Sequence, residues 1–163
     1  MALHLACRRL DAVAVDALLA CGIEASRERN PLFWIAQTTV TGRRECALRV
    51  DRVLNAFGRG LKALLCAKSK ADGSTVLHAV VAANNVPKSV RVELAAALVR
   101  RGASPRALDG HKKSPVRIAA RSGCGELVAA VLQAFAASSE ASDDAGDVLV
   151  DAAVGGCVGA VLD

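Results

Sequence analysis

Apolar residues recur along this chain at helical spacing, in short triads separated by polar turns. Val15, Leu18 and Leu19 form the first i, i+3, i+4 triad. Val50, Val53 and Leu54 repeat it, as do Ala95, Leu98 and Val99, and then Val128, Val131 and Leu132. Such spacing puts one apolar stripe on each of four helices. Ahead of each triad stands an apolar anchor, at Leu3, Leu32, Leu77 and Val116, with a further anchor at Leu149. In the first and fourth units the triad starts 12 residues after its anchor. In the second and third it arrives six residues late, with the extra residues near Thr41-Gly42-Arg43-Arg44 and from Asn84 to Ser89. From Gly102 to Val116, and from Phe135 to Leu149, the count is 14 residues in both cases. The pattern predicts pairs of short helices in units of about 1–28, 29–70, 71–108 and 109–145, with a partial fifth at 146–163.

Local chemistry agrees with these boundaries. Thr75 and Ser114 are types whose side-chain oxygen caps a helix, and Pro31 and Pro115 suit a first helical position. Gly22 and Gly102 stand where helices should end. The small pairs Ala119-Ala120 and Ala152-Ala153 allow close helix approach, and each unit needs its neighbours to bury its stripe.

One segment is more specific. Asp72-Gly73-Ser74-Thr75-Val76-Leu77-His78 is answered 39 residues later by Ser114-Pro115-Val116-Arg117-Ile118-Ala119-Ala120. Ala2-Leu3-His4-Leu5-Ala6 and Asn30-Pro31-Leu32-Phe33 share the register, and Leu149 to Ala153 does so faintly. These segments resemble the Thr-Pro-Leu-His-x-Ala-Ala signature of ankyrin repeats. The triads, with Gly22 and Gly102, resemble the family's Val-x-x-Leu-Leu-x-x-Gly, and Gly102-Ala103-Ser104-Pro105 its Gly-Ala-Asp-Pro turn. The likeness covers almost the whole chain. It implies an all-α solenoid of about four repeats and a partial fifth, with structural hydrogen bonds at His4 and His78. It also implies a concave face of turn tips and inner helices that binds another protein. Placed on that face, the turn positions are Arg27, Arg29, Lys70, Asp72, Ser74, Asp109, His111 and Lys113. Arg8, Arg9, Ala82, Ala83, Arg121 and Ser122 are the exposed inner-helix positions. The register begins and stops in mid-repeat, so the chain is expected to be a fragment of a longer repeat protein, or a monomer whose stretch from Gly155 is a degenerate cap.

Charge changes the picture next. All 21 basic residues lie in 1–135 against 10 acidic ones, a net of +11, whereas 136–163 carry six acidic residues and no basic one. Placed on the repeats, the positive charge marks a face for an acidic peptide or domain; ordinary solubilising charge is the alternative. An apolar content of 53% excludes a disordered chain. No apolar run reaches the roughly 18–20 residues that span a bilayer, so no membrane insertion is expected. The first residues show no pattern of a secretory signal, so a cytoplasmic location is expected, with the nucleus as the alternative. Six scattered cysteines form no Cys-x-x-Cys pair and are expected to be reduced, small buried groups.

Catalytic chemistry finds no foothold. There is no nucleophile elbow and no phosphate-binding loop, and Gly58-Arg59-Gly60 is too short to form one. Asp143, Asp144 and Asp147 lack the spacing of a calcium loop. His111 falls in an exposed turn. No cofactor and no enzyme activity are expected. Nucleic-acid binding fits the basic pI of about 9.1, but aromatics are only 2% and Trp34 is expected to pack against its neighbour, which leaves no stacking platform. A third reading makes the repeats a spacer or recruiting arm within a larger protein, such as a ubiquitin-ligase adaptor or an ion-channel tail.

Overall fold

The computed structural model describes residues 1–26 and 29–137. Among them the regular structure is entirely helical, as expected. It comprises α1 (Ala2–Arg9), α2 (Ala12–Ala20), a 3-10 helix (Pro31–Gln37), α3 (Arg43–Ala56), a 3-10 turn (Gly58–Gly60) and α4 (Leu61–Leu65). α5 (Val76–Ala82), α6 (Lys88–Arg100), α7 (Pro115–Arg121) and α8 (Gly125–Ala136) follow. The expected partial fifth repeat, Arg27, Cys157 and the acidic 136–163 stretch beyond Ala137 lie outside the described residues.

Short polar side chains cap α2, α7 and the 3-10 helix. Asp11 accepts a hydrogen bond from the Ala14 amide at 3.1 Å and caps α2. The Ser114 hydroxyl accepts from the Arg117 amide at 3.2 Å and caps α7. Asn30 caps the 3-10 helix by accepting from Leu32, and its amide donates to the Leu64 carbonyl at 2.6 Å. Pro31 and Pro115 occupy first helical positions. Phe33, Trp34 and Ile35 are weak helix formers, which fits the tighter, shorter turn of their segment.

The helices assemble as two rows. α1, the 3-10 helix, α5 and α7 pack side by side in an inner row, and α2, α3, α6 and α8 form an outer row. α1 pairs with α2, α5 with α6, and α7 with α8. Between the rows runs one cluster of buried side chains. The triad residues Val15, Val50, Val53, Leu54, Ala95, Leu98, Val99, Val128 and Val131 are all buried in it, while Leu18, Leu19 and Leu132 pack at its edge. Arg43 on α3 bonds Glu93 on α6 at 2.6 Å, and Arg101 reaches both Asp51 and Asn55 on α3. These exposed pairs add about 0–1 kcal/mol each; the apolar contacts dominate.

Several details differ from the expectation. The late triads arise from long segments before α3 and α6 and from longer outer helices, so Arg43, Arg44, Lys88 and Ser89 are already helical. α4 was not anticipated; it buries Leu61, Leu64 and Leu65 between the second and third pairs. Ala83, expected to be exposed, is buried. Cys7, Cys46 and Cys124 are buried, but Cys21 and Cys66 are exposed, against the expectation for all thiols. Burial pushes the Cys7 and Cys46 thiols up to about 12, with Glu93 adding to the effect at Cys46.

α6 sits at the centre of the outer row, touching α3, α5 and α8. Leu98→Ala is expected to cost about 2–5 kcal/mol, because the rigid neighbours cannot close the cavity. Urea denaturation followed by far-UV circular dichroism measures it.

Candidate interaction groove

The groove is built from two turns that precede inner helices. In the first, the Ser69 amide donates to the Ser74 carbonyl at 2.7 Å and the Gly73 amide to the Ser69 carbonyl at 2.9 Å. The Asp72 carboxylate accepts from the Ser74 hydroxyl at 2.8 Å and the Ser74 amide at 3.1 Å. In the second, the Asp109 carboxylate accepts from the His111 amide at 2.8 Å and the Lys113 amide at 2.9 Å. The tips abut through the Gly110 amide, which donates to the Asp72 carbonyl at 2.8 Å. Both glycines are needed for that approach. A Cβ on Gly73, whose φ is +67°, would lie 2.9 Å from the Gly110 nitrogen, and one on Gly110 would lie 2.8 Å from the Asp72 oxygen.

Behind the tips, His78 joins the third pair to the fourth. Its Nδ1 accepts from the Thr75 amide at 3.1 Å and lies 2.8 Å from the Thr75 hydroxyl. With Nδ1 accepting, the proton sits on Nε2, which donates to the Lys113 carbonyl at 3.0 Å. His4 occupies the matching place in the first pair, with the Arg29 backbone carbonyl beside its ring. Its Nδ1 is buried and finds no partner among the described residues, since Met1 stands where the third pair has Thr75. Burial, then the terminal ammonium, holds the His4 pKa below its ordinary value, and the Arg29 cation adds to this against the pull of the Arg29 carbonyl.

Two cavities open along the tips and the inner row. The first, about 270 Å³, is bordered by Arg29, Lys70 and Ser69, with His4, Phe33 and Trp34 as its ring-bearing wall. The second, about 400 Å³, has Asp72, Ser74 and Asp109 on its rim and Phe33, Ala79 and Ile118 on its floor. Phe33 and Ser69 border both, so the two cavities adjoin along one groove face. The Ser74 hydroxyl and amide keep the Asp72 carboxyl below the usual range. At Asp109 burial pushes upward, but the Lys113 and His111 amides, helped by nearby histidines, outweigh it and the carboxyl is also held low.

Of the residues expected on the binding face, Arg29, Lys70, Asp72, Ser74 and Asp109 meet in this groove. The others are placed differently. Arg8 is half-buried and donates to the Gln37 carbonyl at 3.1 Å, which ties α1 to the 3-10 helix. Arg9 borders a separate cavity on the open side of α1 and α2. His111 is exposed in the second tip, whereas Lys113 serves the turn through its amide and His78 through its carbonyl. Arg121 and Ser122 are exposed at the end of α7, where the Ser122 hydroxyl donates to the Ala119 carbonyl at 2.7 Å. The expected basic face is thus divided by sign, with cations at one half and carboxylates at the other. Phe33, Ser69, Ala79 and Ile118 were not singled out, although their places beside the signature positions could have marked them. Trp34 packs edge-on to His4 at 5.8 Å between ring centroids, as expected.

No family model matches the chain, and no curated protein matches it. Among the described residues, no three His, Cys, Asp or Glu side chains gather to hold a metal ion, and no helix is long and apolar enough to cross a membrane.

Two expectations follow. His78→Ala leaves the Thr75 amide and Lys113 carbonyl unpaired and should cost about 1–3 kcal/mol plus the lost packing, read by urea denaturation. The carboxyls of Asp72 and Asp109 have folded pKa values below their unfolded ones, so they stabilise the tips at neutral pH. That contribution is lost as pH falls below the ordinary carboxylate range through the folded values. Hydrogen exchange at the Ser74, His111 and Lys113 amides, referenced to intrinsic rates, should show falling protection in that acid window and a plateau above it.

Proposed function

We propose that the protein is an ankyrin-type repeat module that binds a protein partner in the groove between turn tips and inner helices, and that it catalyses no reaction. The observation that carries this is the pair of adjoining cavities, one bordered by Arg29 and Lys70 and the other by Asp72 and Asp109, with Phe33 and Ser69 common to both. Two further features support the family. Inner helices pack on successive inner helices and outer on outer, and the Thr75–His78–Lys113 bridge links consecutive pairs at the signature position. A cytoplasmic or nuclear setting suits such a module.

The groove has apolar footing, polar rims and rigid tips, the anatomy of a recognition surface. Its charges are exposed enough to be screened by salt, so they contribute more to association rate and selectivity than to raw affinity.

Ala82 is exposed at the end of α5 and borders the second cavity, which makes it a place to block the groove without touching the core. Ala82→Arg should abolish two-hybrid interactions made by the wild-type chain while leaving the far-UV circular dichroism spectrum and melting temperature unchanged. Interactions that all survive the substitution would put the partner site elsewhere. Tight gel-shift binding of nucleic acid, unaffected by Ala82→Arg, would replace the proposal with the nucleic-acid alternative.

A further inference from the structure

We propose that the groove selects an extended peptide segment by the order of its charges: an acidic side chain at the Arg29 half, an apolar side chain over Phe33, and a basic side chain between Asp72 and Asp109. This rests on the groove being the partner face, and it changes the expected partner from an acidic one to a bipolar one.

The chemistry of the rims sets the order. Arg29 is exposed and borders the first cavity beside His4 and Trp34. A carboxylate there would gain a charge-assisted hydrogen bond. At the second cavity the two carboxylates belong to the turns themselves, and hydrogen bonds to their own amides keep both ionised. A second acid placed there would be repelled, whereas a Lys or Arg side chain would be attracted and could lay its aliphatic stem on the Ala79 and Ile118 floor. The same carboxylates oppose a phosphate backbone, which disfavours nucleic acid in this groove.

Spacing sets the length. Neighbouring inner helices pack about 8–10 Å apart. An extended chain rises about 3.3 Å per residue and turns alternate side chains to one face, so residues i, i+2 and i+4 span about 13 Å on that face. Arg29 precedes the second inner helix, and Asp72 and Asp109 precede the third and fourth. Their midpoint therefore lies one and a half inner-row steps from Arg29, about 12–15 Å, which that span matches. The selected segment therefore carries acid, apolar and base at alternate positions, in one chain direction.

The test uses four sets of fluorescent nine-residue peptides, capped at both ends, titrated against the full chain by anisotropy. Their central five residues are Asp-x-Leu-x-Arg, Arg-x-Leu-x-Asp, Asp-x-Leu-x-Asp and Arg-x-Leu-x-Arg, with x mixed over small polar residues. One bipolar set should bind more tightly than both single-sign sets. Arg29→Glu should weaken that set about three- to fivefold, the scale of one partly exposed ion pair, and should strengthen binding of the Arg-x-Leu-x-Arg set. Equal or tighter binding of the Asp-x-Leu-x-Asp set would overturn the charge order while leaving the groove as the partner face. Failure of all four sets, alongside partner interactions that Ala82→Arg still abolishes, would overturn peptide selection alone. Peptide binding unaffected by both Ala82→Arg and Arg29→Glu would overturn the groove as well.

Discussion

Each helix pair of this protein is too short to hold itself together. The inner helices α5 and α7 have seven residues each, and α1 has eight. Isolated helices of that length are not stable in water, because the nucleus costs more than so few bonds return. Packing against the next pair supplies what the single pair lacks. Val90, Leu94 and Leu98 on α6 are fully buried because α3, α5 and α8 surround that helix. Stability is then a sum over neighbouring contacts, and the central pairs carry the most of it. Loss of one core leucine is felt on both sides of its helix.

Apolar stacking leaves the turn tips to be placed by polar bonds. The Gly110 amide on the Asp72 carbonyl and the His78 ring on the Lys113 carbonyl set the third tip against the fourth. Neither bond is large alone, since folding exchanges it for bonds to water. What they add is geometry. They hold Asp72 and Asp109 on one rim and leave the Ala79 and Ile118 floor open between them. A rim fixed before binding spares the entropy of ordering it afterwards, so the same bonds that join two pairs also prepare a surface.

The helical triads were legible because their period is written in the chain, and buried Val15, Val53, Leu98 and Val131 follow it. The role of His78 was legible from the residues around it, with Thr75 three before and Leu77 adjacent. Other features depend on separations that sequence does not encode. Arg8 looks like any exposed basic residue until the Gln37 carbonyl is found beside it. α4 has five residues behind Gly58 and Gly60, too few to establish a period. Ala83 is buried although it stands at the end of a short inner helix, where sequence position alone points outward. The division of the groove by sign was hidden for the same reason, since a count of charges on turns does not say which ones share a cavity.

That division follows from what each charge does for the fold. Asp72 and Asp109 must be hydrogen-bond acceptors, because each gathers two donors from its own turn. Their negative charge on the groove is therefore a by-product of turn construction, set by the same chemistry in both tips. The Arg29 side chain is not one of the donors that build these two tips. What faces His4 is the Arg29 carbonyl, which any residue supplies, so the side chain can change without altering it. The carboxylates that border the second cavity are thus tied to folding, whereas the Arg29 side chain is not. On the proposed reading, selectivity falls to the side chains that the turns do not use.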